Sequence, residues 1–167
     1  LKNLIDACKA FGDSSLLLAL DGLTDPQNLG AIIRSAEALG AQGLILPQRR
    51  SAGLTGSVAK VAAGALEHLP VARVVNLNRS LEKLKDEGYT VVGLAEEGSS
   101  TLSEIKFQGP LVVVVGSEDK GISLITRRLC DQLVRIPLKG VTTSLNASVA
   151  TSIFLYEVAR SRWMRSI

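Results

Sequence analysis

Three segments of the sequence place polar side chains at points where a ligand could bind. The first is residues 20 to 41, where Asp25 and Pro26 predict the start of a helix, with the carboxylate capping free N–H groups. Asn28 and Arg34 are the side chains that capping and packing leave unexplained. Because they lie about 120° apart around a regular helix, either Asn28 belongs to an irregular first turn or the two residues serve different partners.

Gly30 lies one helical turn before Arg34. We expect it to leave open surface beside the guanidinium. An ordinary exposed arginine is the competing interpretation of Arg34.

The second segment is residues 111 to 123, where an apolar strand runs into Gly116 and Glu118 follows in a turn. The glycine spacing is close to that of a phosphate-binding loop, but Ile122 stands where that loop needs lysine. A dinucleotide fingerprint also fails, because Glu118 would repel a pyrophosphate. An acid here favours a ligand with hydroxyl groups or positive charge, unless it is only a solvated turn residue.

The third segment, residues 134 to 162, passes from a strand through small polar residues into a long helix with apolar residues at helical spacing. Ser144 and Asn146 are both suitable N-cap residues, and capping is the simplest role for either. These two residues bracket Leu145, and the small residues Ala147, Ser148 and Ala150 that follow would let a ligand approach the backbone closely.

The elements that position these segments alternate along the chain. Strands are predicted at 16–20, 43–47, 71–75, 89–94, 111–115 and 132–136, and helices near 27–39, 54–66, 78–87, 122–130 and 146–161. The strands lack apolar and polar alternation, which predicts an α/β domain whose mostly parallel sheet has helices on both faces. Ligands bind beyond the carboxyl ends of such strands, in the loops after Leu20, Leu94, Val115 and Ile136.

Length and composition limit the classes of protein. The chain has 167 residues, enough for one domain, and 46% of them are hydrophobic, which excludes intrinsic disorder. No apolar run is long enough for a membrane span, and from the first residues we expect no secretory signal. Cys8 and Cys130 form no CxxC motif, so we expect no metal site and a reducing, cytoplasmic location.

Charge is unevenly distributed. The formal net charge is +3, and after residue 119 basic residues outnumber acidic ones 8 to 2, whereas acidic residues outnumber basic ones before it. The basic end is the better candidate for contact with phosphates, although it is also consistent with a solvated helix.

Taken together, DPQNLGAIIRSAEALGA, VVVVGSEDKGIS and IPLKGVTTSLNASVATSIFLYE resemble, in order, the three motifs of the SpoU subfamily of RNA ribose 2'-O-methyltransferases in the SPOUT class. The region between the first two motifs is most similar to the branch that methylates a guanosine of 23S ribosomal RNA. A tRNA guanosine methyltransferase and a non-catalytic RNA-binding module of the same fold are the alternatives. The resemblance implies a C-terminal trefoil knot, an exception to the rule that chains do not knot.

The resemblance also implies a site, a cofactor and partners. The expected partners are RNA and a second copy, since family members are homodimers whose active sites are completed by the first motif of the partner. The implied cofactor is S-adenosyl-L-methionine. The implied catalytic residues are Arg34, Asn28, Glu118, Ser144 and Asn146, and the implied cofactor-binding residues are Leu94, Gly116, Ile136 and Leu145.

The resemblance implies a division of the chain as well. Residues 14–167 correspond to the methyltransferase domain, and residues 1–13 to a linker or lead-in segment. Because the chain begins with Leu1 and the family often carries an N-terminal RNA-binding domain, we expect such a domain upstream.

Overall fold

A computed structural model describes residues 1–164 as an α/β domain, as the sequence predicts. Seven strands form one sheet in the order β3-β2-β1-β6-β4-β7-β5, and every strand pairing is parallel. The strands are β1 (Leu16–Asp21), β2 (Gly43–Pro47), β3 (Val71–Val74), β4 (Thr90–Leu94), β5 (Ser100–Thr101), β6 (Leu111–Gly116) and β7 (Gln132–Arg135).

Six α-helices connect or flank these strands. They are α1 (Lys2–Cys8), α2 (Pro26–Ala38), α3 (Gly56–Ala62), α4 (Leu77–Asp86), α5 (Leu124–Leu129) and α6 (Ala147–Trp163). Short 3₁₀ turns occupy Lys9–Ser14, Ala65–Glu67 and Leu102–Glu104. Within the described residues, no helix is both long and apolar enough to cross a membrane.

The six predicted strands are all present, with ends that agree to within one residue. The two-residue strand β5 was not predicted, because two residues carry no periodicity. The helix predicted over 54–66 is shorter than expected, since Ala63 and Gly64 adopt left-handed backbone conformations with φ of 52° and 85°. A left-handed residue cannot continue a right-handed helix, so the chain resumes as a 3₁₀ turn.

The sheet is buried on both faces, which explains the missing alternation in the strands. Leu16, Leu18 and Leu20 of β1 pack in one apolar layer, and Leu17 and Ala19 pack in the other. Strand side chains alternate between faces, so a strand covered on both sides must be apolar throughout. Helices α2, α3 and α6 contribute to the first layer, and α1 and α4 to the second.

The N-terminal segment packs against the second layer. Leu4, Ile5 and Cys8 of α1 are buried there, and a side chain at Gly43 of β2 would overlap Leu4. Burial also raises the pKa of the Cys8 thiol. The boundary at residue 14 between linker and domain stays a prediction, and residues 165–167 of the predicted domain lie outside the described part.

Strand β7 pairs with β4 on one side and β5 on the other, so the chain after residue 131 passes between two strands laid down earlier. This is the region where the resemblance implies a knot. The strand order agrees with the predicted fold class, and the knot itself stays a prediction.

Candidate active site

A cavity of about 770 Å³ lies beyond the carboxyl ends of β4, β6 and β7, at the edge of the sheet where the sequence predicts ligand binding. Three loops form it, at residues 94–97, 115–122 and 135–147. Seven predicted site residues line this cavity: Leu94, Gly116, Glu118, Ile136, Ser144, Leu145 and Asn146. The fold therefore brings these residues together from segments that are distant in sequence.

Gly116 ends β6 where two backbone segments meet. A Cβ there would overlap the backbone of Gly121 and Ile122. Ser117 and Gly121 exchange two backbone hydrogen bonds of 3.1 and 3.0 Å, which closes a tight turn and presents Glu118 and Asp119 at its tip. The absence of a side chain at 116 thus permits the turn that carries Glu118.

Helix α2 positions Asn28. The helix begins at Pro26, and the Asp25 carboxylate accepts a hydrogen bond from the Gln27 amide at 2.8 Å, as predicted. Asn28 therefore lies within the first helical turn and not in an irregular one. Its side chain is 6% exposed.

Asn28 joins Glu118 to Asn146. Its Nδ2 donates to Glu118 Oε1 at 3.2 Å, and its Oδ1 accepts from Asn146 Nδ2 at 3.0 Å. Glu118 Oε1 also accepts from the Asp25 amide at 3.4 Å. All three sequence motifs thus meet in one hydrogen-bonded chain.

The direction of this hydrogen-bonded chain is set at both of its ends. Asn146 is the N-cap of α6, and its Oδ1 accepts from the amides of Ser148 and Val149 at 2.9 and 3.3 Å. An amide whose oxygen is used in this way has its NH₂ group left to donate. At the other end, an ionised Glu118 carboxylate can only accept. Asn28 must therefore accept from Asn146 and donate to Glu118. Ser144, the other candidate cap, lines the cavity as Asn146 does, but it does not cap α6.

Arg34 does not join this group. It is exposed, it does not line the cavity, and within residues 1–164 its side chain makes no hydrogen bond or ion pair. Since Asn28 lies within the regular helix, the side chains of Asn28 and Arg34 point about 120° apart around it. Of the two interpretations given by the sequence, the one that remains is that Asn28 and Arg34 serve different partners. The expectation that Gly30 leaves open surface beside Arg34 is wrong. A Cβ at Gly30 would overlap Val61 and the Val58 carbonyl, because α3 packs closely on α2 there.

The structure reveals contacts at the cavity that sequence analysis missed. Arg127 forms an ion pair with Glu97 and donates to the Ile122 carbonyl at 2.9 Å. Asp21 at the end of β1 accepts from the Ser123 amide at 2.9 Å, which holds the segment after the Glu118 turn. Arg127 and Glu97 lie 30 residues apart, and Asp21 and Ser123 lie 102 apart, so no spacing in the sequence could indicate these two contacts.

The cavity combines apolar surface with charges of both signs. Leu94, Ile136 and Leu145 supply the apolar surface. The charged lining residues are Glu96, Glu97, Glu118 and Asp119 together with Lys120, Arg127 and Arg135, and Arg127 pairs with Glu97. Such a lining suits an organic ligand that carries hydroxyl groups and charges of both signs. The described residues contain no cluster of metal-ligating side chains.

Comparison with known proteins gives a consistent result. The family model described as the SpoU rRNA Methylase family matches residues 15–156. A relative from Synechocystis, named an uncharacterised tRNA/rRNA methyltransferase, is 54% identical over 97% of this chain and 42% of its own length. The 23S rRNA (guanosine-2'-O-)-methyltransferase RlmB of Pseudomonas aeruginosa is 51% identical over 88% of this chain and 59% of its own length. The chain spans about half the length of the curated relatives it matches.

Solved structures agree. The SpoU methyltransferase AviRb from Streptomyces viridochromogenes, in complex with AdoMet, has a TM-score of 0.85 and 34% identity, covering 91% of this chain and 62% of that one. The TrmH/SpoU tRNA modifying enzyme of A. aeolicus has a TM-score of 0.83 and 27% identity, covering 99% of this chain and 85% of that one.

Proposed function

The chain belongs to the SpoU rRNA methylase family, and from this we propose that it transfers a methyl group from S-adenosyl-L-methionine to a ribose 2'-hydroxyl of RNA. The proposed substrate is a guanosine of 23S ribosomal RNA, which also implies a cytoplasmic location. The similarity to RlmB and the region between the first two motifs support this choice over a tRNA substrate. The observation on which the proposal chiefly rests is that the second and third motifs line one cavity and that Asn28 of the first motif is hydrogen-bonded to both of them there.

The residues present fit S-adenosyl-L-methionine. The cavity volume lies within the usual range for small-molecule sites, about 300–1,000 Å³. Leu94, Ile136 and Leu145 would contact the adenine and other apolar parts, the lining carboxylates complement the cationic sulfonium and amino groups, and the lining basic side chains complement the carboxylate. Gly116 keeps the strand end free of a side chain. When bound, this cofactor supplies a methyl group on a positively charged sulfur, which makes the transfer intrinsically favourable.

The chain's own residues orient the ribose and handle its proton. Asn28 and Asn146 hold Glu118 at the cavity, where Oε1 accepts two N–H groups. The second oxygen of Glu118 has no hydrogen-bond donor among the described residues, so it or a phosphate of the RNA is the proposed proton acceptor. Ser144 and Asn146 are proposed to shape the loop beside the ribose.

Arg34 is proposed to act at the cavity of a second copy. Arginine stays protonated in proteins, so its role is to orient the ribose and stabilise negative charge developing on the 2'-oxygen. The position of Arg34 supports this role, because the side chain is exposed and lies away from the cavity of its own chain.

An exposed apolar face adjoins Arg34. Val149, Ile153 and Tyr156 of α6 are 47%, 39% and 52% exposed, although their helical spacing is typical of a packing face. The hydroxyl of Ser152 donates to that of Ser35, the neighbour of Arg34, at 2.8 Å. We assign this face to a second copy of the chain, since a symmetric dimer would bury it and carry each Arg34 toward the other subunit.

The test is methyl transfer from radiolabelled S-adenosyl-L-methionine to an unmodified 23S rRNA transcript, followed by nucleoside mass spectrometry. We expect 2'-O-methylguanosine and its loss in Arg34→Ala. A tRNA transcript in parallel tests the alternative substrate. RNA binding without any methylation would favour the non-catalytic module, and incorporation that survives Arg34→Ala would contradict the role given to that residue.

A further inference from the structure

Arg49 and Arg50 lie in the loop that connects β2 to α3, outside the cavity and outside the three motifs. Both are exposed, and within residues 1–164 neither side chain makes a hydrogen bond or an ion pair. Arg50 has a positive φ of 55°, a left-handed conformation that is costly for residues other than glycine, asparagine and aspartate. Neither guanidinium group is therefore paired within residues 1–164, and the backbone of Arg50 is strained.

The loop is attached to the sheet at its start. The Gln48 amide donates to the Val74 carbonyl at 2.8 Å, and Arg73 of β3 donates from Nη2 to the Gln48 carbonyl at 3.4 Å. Arg73 therefore lies against the base of the loop, and it adds a third guanidinium to this region.

The other end of the loop is attached to the segment that leads into the site. The Ala52 amide donates to the Leu23 carbonyl at 2.8 Å, and Ala52 is buried. Leu23 lies two residues before Asp25, whose amide contacts Glu118. Since consecutive Cα atoms are 3.8 Å apart, Arg50 lies within about 8 Å of Ala52, and Asp25 within about 8 Å of Leu23. The Cα atoms of Arg50 and Asp25 therefore lie within about 20 Å of each other, so the two arginines are on the side of the site where Asn28 and Glu118 lie.

The charges around the site make this position significant. Asp25, Glu118 and Asp119 are exposed carboxylates, which repel the phosphates of an approaching polynucleotide. By contrast, residues 38 to 66 contain no aspartate or glutamate, and they carry Arg49, Arg50 and a lysine. A strand whose ribose reaches the acidic rim needs cations nearby for its flanking phosphates.

We propose that Arg49 and Arg50, supported by Arg73, form a surface that binds phosphates of the RNA strand flanking the reacting ribose. This inference rests on the proposed function. The guanidinium group matches phosphate geometry by donating two parallel hydrogen bonds. Phosphate contacts of this kind fix the position of the strand without reading its sequence.

The experiment measures binding of the chain to an unmodified, fluorescently labelled 23S rRNA transcript over a series of KCl concentrations. Each phosphate contact contributes about 0.7 to 0.9 to the slope of log K against log [KCl]. For Arg49→Gln with Arg50→Gln we expect the slope to fall by about 1.4 to 1.8. The affinity in 0.1 M KCl should fall by about 25-fold or more.

A charge-matched control is Lys2→Gln with Lys83→Gln. Both lysines are exposed on the α1 and α4 side of the sheet, near Asp6 and away from the site. This variant should keep the slope and affinity of the unmodified chain. Arg50→Gly serves as a second test, because glycine relieves the positive φ. It should unfold at the same or a higher temperature and yet bind RNA about fivefold more weakly in 0.1 M KCl.

The outcomes distinguish the two proposals. If the unmodified chain methylates the transcript while the Arg49→Gln, Arg50→Gln variant keeps its salt slope, the phosphate-binding surface is refuted and the proposed function stands. If the slope falls equally in the lysine control, the surface is also refuted, because the effect is then one of net charge. If the unmodified chain neither binds nor methylates RNA, both proposals fail.

Discussion

Asn28→Asp is the sharpest perturbation that the site allows, because it changes one NH₂ group to an oxygen at almost constant shape. The aspartate loses the donor to Glu118 and places a second carboxylate about 3.2 Å from the first. It still accepts from Asn146, so only one end of the connection changes. We expect the folded chain to be destabilised at neutral pH by charge repulsion.

The magnitude follows from the contact distance. Two unit charges 3.2 Å apart repel by about 1.3 kcal/mol in water and about 5 kcal/mol at an effective dielectric constant of about 20. The loss in the free energy of unfolding at pH 7 has an upper limit, because an aspartate whose pKa rises to 7 takes up a proton and the repulsion ends. Raising its pKa from about 3.9 to 7 corresponds to about 4 kcal/mol. Glu118 is exposed, so we expect a loss of about 2–4 kcal/mol in the free energy of unfolding at pH 7.

The pH dependence is the distinctive signature. Repulsion raises the pKa of the introduced aspartate above its unfolded value, so the destabilisation is present at pH values above the folded pKa. It disappears as the pH falls through the unfolded pKa, where the neutral acid can again donate to Glu118. Urea unfolding at pH 8, 6 and 4.5 should therefore show a difference from the unmodified chain that shrinks with decreasing pH.

Gln27→Glu is the matched control for this experiment. It adds the same charge one residue away, at an exposed position in the first turn of α2, where a negative charge interacts favourably with the helix dipole. It should be neutral or slightly stabilising. If Asn28→Asp were no less stable than Gln27→Glu at pH 8, or if its destabilisation were the same at every pH, the assigned connection between Asn28 and Glu118 would be refuted.

Three further predictions follow from the packing. Gly116→Ala should lower the free energy of unfolding by about 1–3 kcal/mol, because the added Cβ overlaps the Gly121 backbone. The control Gly140→Ala, which has open space around it, should not change the midpoint of urea unfolding. Equal midpoints for the two variants would show that the backbone at Gly121 does not restrict residue 116. Burial raises the pKa of the Cys130 thiol to about 11. Because the thiolate is the reactive form, alkylation of Cys130 by iodoacetamide at pH 8 should be about a hundredfold slower in the folded chain than in urea. Comparable alkylation rates in the folded chain and in urea would show that burial does not protect the thiol. Ile153→Glu should shift the sedimentation coefficient from that of a dimer to that of a monomer and abolish methyl transfer. The control Val75→Glu, at an exposed apolar residue elsewhere, should change neither the sedimentation coefficient nor the activity. An active monomer would exclude an active site completed by the second copy.

The sequence by itself determined the fold class and most element boundaries, because these depend on local signals. Unalternating apolar runs such as Leu111 to Val115 indicated strands covered on both faces. Asp25 followed by Pro26 located the start of α2 to within one residue. The second and third motifs located two of the three loops that form the cavity, since the carboxyl ends of parallel strands share one edge of the sheet.

Only the tertiary structure decided how the side chains in those loops are used. Helical spacing could not tell whether the face of α6 with Val149 and Ile153 packs inward or faces solvent, because both arrangements have the same period. Nor could it show that α3 fills the space beside Gly30. The contact of Asn28 with Glu118 joins residues 90 positions apart, and the contact with Asn146 spans 118. Contacts at such separations depend on how whole elements pack, and a linear pattern carries no information about that packing.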